Sequence, residues 1–80
     1  MLYCVYIIQS KKDGSYCTGI TADLRKRIVD HNTKLSKYTA TKAPYVLKWY
    51  CVFPNKKRAL EFEKYLKSGS GFAFARKRFL

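Results

Sequence analysis

Apolar residues crowd residues 2–9, LYCVYIIQ, at both odd and even positions. A strand covered on one face alternates; a strand covered on both does not. The run therefore predicts a strand in the middle of a sheet. KKDGS follows, and its Asp13-Gly14 is a strong turn signal between two apolar runs. Residues 16–20, YCTGI, predict a second strand that closes a hairpin, with Gly19 as a tight exit. Helical spacing then takes over. Leu24, Ile28 and Leu35 fall within about 40° on a wheel of about 100° per residue. This helix opens after Thr21, a suitable N-cap, with Asp23 in a first turn that favours acids, and it frays near Leu35.

Residues 34–45, KLSKYTATKAPY, form a polar, basic connection with interleaved Tyr, and Pro44 bars a helix there. Residues 46–53, VLKWYCVF, predict a third strand, stopped by Pro54-Asn55. Asn55 can cap a helix over 56–67 whose apolar arc is Ala59, Phe62 and Leu66. Glu63 lies in or beside that arc, and Glu61 points away. Gly69-Ser70-Gly71 ends the helix, with Gly69 suited to the left-handed position after it. The tail FAFARKRFL predicts a short amphipathic helix with a basic face that carries Arg76 and Arg78. The class is α+β. No repeat, linker or second domain breaks the pattern, so one domain over residues 1–80 is expected.

Eighty residues carry seventeen Lys and Arg against five Asp and Glu, a net charge of +12. Such a balance attracts a polyanion, with nucleic acid the first candidate and an anionic membrane surface the second. No apolar run approaches the roughly 20 residues of a spanning helix. The first ten residues do not look like a signal peptide. Cys4, Cys17 and Cys51 are odd in number and widely spaced, which argues against a zinc site or a disulfide framework. A reduced, cytoplasmic setting is expected.

Against this background a few residues stand out. Arg27 and His31 share the inward arc of the first helix, one turn apart. Inward charge is costly unless paired or beside a cleft. The pair is either a salt-bridged Arg beside a half-buried His, or a forked phosphate donor beside a proton carrier. Glu63 is either a boundary acid paired with a nearby Lys, or an oxygen ligand for a dication such as Mg²⁺, which often takes one or two carboxylates and completes its shell with water and phosphate. Tyr6, in the central strand, is either core or a phenol that binds phosphate or water. Lys34, Lys37, Tyr38, Lys42 and Tyr45 make either a solvated loop or a track for a nucleic-acid backbone, with Tyr stacking on bases.

Three segments, DGSYCTGIT, DLRKRIVDHN and ALEFEKYLK, stand in an order that resembles the GIY-YIG endonuclease superfamily, in its small stand-alone bacterial form. Cys4-Val5-Tyr6 stands for the first motif and Cys17-Thr18-Gly19 for the second. The resemblance implies a three-stranded antiparallel sheet, first strand central, flanked by helices. It implies metal-dependent cleavage of DNA, single- or double-stranded, with Mg²⁺ or Mn²⁺ on Glu63 and no small-molecule cofactor or membrane. It gives Arg27 the developing charge, His31 the family's second helical position, and the tyrosines the attacking water. The second-motif Tyr, often the general base, is Cys17 here. Tyr16 could replace it only through a bulge or register shift, since neighbours in a strand face opposite sides. His31 could take the proton instead. The alternatives are a nucleic-acid-binding module without catalysis and a basic structural protein on ribosomal RNA.

Overall fold

The computed structural model describes residues 2–33 and 43–80. Strands β1 (Tyr3–Ser10) and β2 (Tyr16–Thr21) form the hairpin, helix α1 (Leu24–Asn32) follows, and β3 (Tyr45–Phe53) precedes helices α2 (Lys56–Lys67) and α3 (Gly69–Arg78). The sheet order is β2-β1-β3 and every pairing is antiparallel. β1 is central, as its unbroken apolar run requires: Val5, Tyr6, Ile7 and Ile8 are all buried, two on each face.

The two faces hold different cores. Val5 and Ile7 pack with Ala59, Leu66 and Ala75 beneath α2 and α3, where Trp49 stacks on Phe79 at 4.3 Å. Tyr6 and Ile8 pack on the other face with Leu24 and Ile28 of α1, Cys17 and Tyr45. Burying a side chain such as Leu66 stabilises by about 1.5–3 kcal/mol. No helix among the described residues is long and apolar enough to cross a membrane.

The hairpin turn forms around Asp13-Gly14. Gly14 adopts φ 78°, and the Asp13 carboxylate accepts the Ser15 N–H at 2.9 Å. Gly19 is not an exit from the strand. It lies inside β2 directly opposite Tyr6, and a Cβ there would occupy the space of the Tyr6 hydroxyl. Its role is clearance, not a turn.

Caps set the helix positions. Asp23, not Thr21, is the N-cap of α1, accepting the Lys26 N–H at 3.1 Å. Thr21 is still in β2, and its hydroxyl accepts the Asp23 N–H instead. Asn55 caps α2 as its sequence position suggests, accepting from Lys57 at 2.8 Å and Arg58 at 3.3 Å. The expected left-handed Gly69 is absent. Ser68 ends α2 through its N–H on the Tyr65 carbonyl and begins α3 by accepting the Gly71 N–H at 3.1 Å. Gly69 is already the first residue of α3.

Candidate active site

Helix α1 turns Arg27 and His31 onto the sheet face that carries Tyr6. The Arg27 Nε–H donates to the Tyr6 hydroxyl at 3.3 Å, and that hydroxyl lies 3.0 Å from His31 Nε2. Tyr6 and His31 are each only 2% exposed, so this is a polar chain inside the core. A phenol that loses such partners would be a costly buried group, so the three side chains hold one another in place.

The charge states follow from burial. Burial pushes the Tyr6 phenol above its ordinary range, against the hydrogen bond and charge of Arg27, and the more distant Cys17 and Glu63 push it the same way as burial. Tyr6 is therefore protonated at neutral pH. Burial, then the Arg27 charge, holds the His31 pKa below its ordinary value, with Asp30 opposing. His31 is therefore neutral at pH 7. Its tautomer decides whether Nε2 accepts from Tyr6 or donates to it.

A depressed histidine pKa has a consequence for stability. The unfolded chain takes the proton first, near its ordinary value of about 6.5, while the folded chain resists it. Stability is then full at neutral pH and lost as pH falls from about 6.5 through the folded pKa. The melting temperature should drop as pH falls below about 6.5, and His31→Gln should flatten the drop. An equal drop in the variant would place its source elsewhere.

Asn32 completes the positioning of His31. Its side chain accepts the Tyr45 N–H at 2.6 Å and donates to the Tyr45 carbonyl at 3.1 Å, tying the end of α1 to the start of β3. The Tyr45 ring then lies 5.7 Å from the His31 ring. Tyr45 is thus a buried wall of the site and is not available to stack on bases, as its place in the basic connection had suggested. Neither Asn32 nor Gly19 carries a signal of this role in the sequence, because each acts on a residue distant along the chain.

The register places Cys17 opposite Ile8, on the Tyr6 face of the sheet. Tyr16 faces the other way and packs on Phe72 at 5.6 Å. No bulge or slip brings Tyr16 to the position of Cys17.

A cleft runs over the β2 edge from α1 to the C-terminal half of α2. Tyr6, Cys17, Arg27, His31 and Glu63 all line it. Glu63 is 16% exposed at the side chain, and its Oε2 lies 3.3 Å from Nζ of Lys67, which is 57% exposed. Both sequence readings of Glu63 therefore meet in one place: it has its lysine, and it faces the cleft. Exposed ion pairs are weak, so the ammonium is a replaceable partner. Among the described residues no three His, Cys, Asp or Glu gather as a metal cage. A single carboxylate suits a hard dication that takes its other ligands from water and phosphate.

Arg76 and Arg78 lie in the last turn of α3, exposed and outside the cleft. Lys34, Lys37, Tyr38 and Lys42 lie outside the described residues.

Comparison with known proteins extends the geometry. Residues 2–77 match the GIY-YIG catalytic domain. A UPF0213 protein of Vibrio campbellii is 36% identical over 66 residues, 81% of this chain and 62% of that protein, so the match spans less than two thirds of the relative. One from Bacillus anthracis is 38% identical over 81% of this chain and 68% of its own. The solution NMR structure of a UPF0213 protein from Bacillus halodurans superposes with a TM-score of 0.61 at 34% identity, covering 99% of this chain and 87% of that one. The family match takes in every element that lines the cleft, and the chain belongs to the GIY-YIG nuclease family.

Proposed function

We propose that the protein is a metal-dependent endonuclease that hydrolyses DNA phosphodiester bonds in this cleft. The reading rests on one observation: the buried chain Arg27–Tyr6–His31 meets a cleft that also receives Glu63 from the opposite side of the sheet. Core packing alone needs none of these polar groups. Nucleases of this family generally use divalent metal ions and act on nucleic acid.

Glu63 would hold the dication, which when bound supplies Lewis-acid polarisation of the scissile phosphate. Arg27 uses Nε on Tyr6, and its terminal nitrogens remain to fork onto phosphate oxygens and stabilise charge as it develops. Tyr6 takes the proton of the attacking water while passing its own to His31. The neutral imidazole with Nε2 unprotonated is the form that can accept it, and the Arg27 charge favours the phenolate that forms in passing. The leaving oxygen takes a proton from solvent. Tyr45 and Asn32 keep the imidazole turned towards Tyr6.

The second reading, a binding module without catalysis, has one observation in its favour. Cys17 stands on the Tyr6 face where the second motif has Tyr. A shorter thiol leaves a gap where a phenol would reach the water. The two readings part in a cleavage assay on single- and double-stranded DNA with Mg²⁺, Mn²⁺ or a chelator. Slow, metal-dependent cleavage is expected from the native chain. Cys17→Tyr should accelerate it, by up to the 100- to 10,000-fold (approximately) that a well-placed base contributes. Binding without cleavage in both proteins under every metal would sink the nuclease reading.

A further inference from the structure

We propose that the outer face of the α2–α3 pair is a second nucleic-acid surface, one that holds an unpaired strand by stacking on its bases. It lies away from the cleft and does not rest on the cleavage reading. Tyr65 of α2 and Phe74 of α3 are each 43% exposed, with ring centroids 6.5 Å apart. Two large aromatic rings side by side in water are an unfavourable surface for a protein to leave bare.

The charges around them are mostly positive. Arg78 lies over the Phe74 ring, its guanidinium carbon 5.9 Å from the centroid. Lys77 and Arg78 follow Phe74 by three and four positions and so share its side of the helix. On the other flank Tyr65 forms one wall of a shallow groove with Lys57, Arg58, Phe53 and Phe62, in which Glu61 is the lone acid. Lys56, Lys57 and Arg58 occupy the first turn of α2, which holds no acid. Cations there oppose the helix dipole. A bound polyanion offsets that repulsion.

Apolar rings alone would suit a second copy of the chain, but two copies would bring their cations together. Cations alone would suit any polyanion, duplex included. Rings interleaved with cations suit bases that are free to unstack, because each base offers a π-face and each phosphate a charge. The occupant is therefore single-stranded nucleic acid.

The test is fluorescence anisotropy of a short labelled oligothymidine and of a labelled duplex, in chelator so that nothing is cut. Tyr65→Leu and Phe74→Leu keep an apolar side chain and lose the π-face. Each should weaken single-strand binding by at least about fivefold and leave duplex binding unchanged. Tyr65→Phe should bind as the native protein does. Lys57→Ala with Arg58→Ala should make the log–log salt slope for the single strand shallower by about 1.4, two phosphates at about 0.7 each. Both cations are exposed, so this pair decides the matter if a leucine variant unfolds. Unchanged single-strand affinity and slope would overturn the proposal, as would equal losses on duplex. A dimer in sedimentation that Tyr65→Leu dissolves would assign the surface to self-association instead.

Discussion

Glu63→Gln should fold as the native protein does, bind DNA with the same affinity, and cleave it at least about 100-fold more slowly, because the Lewis-acid contribution is worth several kcal/mol. The amide keeps the shape of the side chain and loses the anionic oxygen that a hard dication prefers. Its partner Lys67 is mostly exposed, so losing the ion pair costs the fold little. Calorimetry with Mn²⁺ should show binding to the native chain and none to the variant. Cleavage at the native rate would remove Glu63 from the metal site.

Tyr6→Phe should damage both activity and fold. Removing one hydroxyl leaves Arg27 Nε and His31 Nε2 without the oxygen that lies 3.3 and 3.0 Å from them. Leaving a buried polar group unpaired costs about 1–3 kcal/mol, which urea unfolding resolves. If the phenol takes the proton of the water, cleavage should fall by about 100- to 10,000-fold as well. A variant with the stability loss but near-native cleavage would make Tyr6 a post for His31 and no more. His31→Gln separates the two roles further, since an amide can accept from the phenol but cannot carry its proton away.

Much of the fold could be read along the chain because its signals are local. An apolar run at both parities placed β1 at the centre, Asp13-Gly14 turned the hairpin, and Asn55 opened α2 at Lys56. A spacing of four put Arg27 and His31 on one side of α1, and the place of Glu63 beside Ala59 and Leu66 turned it to the same cleft from the opposite side of the sheet. What stayed hidden depends on contacts across the fold. Gly19 looked like a turn, yet its reason is the phenol on the neighbouring strand. Tyr45 looked like part of a basic track, yet Asn32 pins it against His31. Gly-Ser-Gly looked like an end, yet Ser68 had already bonded both helices. The resemblance set Tyr6, Arg27 and His31 in one site, but their direct bonding through the phenol could not be seen until β1 and α1 were placed together.

The junction at Ser68 also has a mechanical meaning. An elbow absorbs rotation only where the chain has slack, and here one residue is fastened to the carbonyl behind it and the amide ahead of it. The last two helices are then a single bent lever. Its inner arm carries Glu63 one turn before the bend, and its outer arm ends at the arginines of the C-terminal turn. Motion of the outer arm is passed directly to the helix that carries the carboxylate, with no loop between the two helices to absorb it.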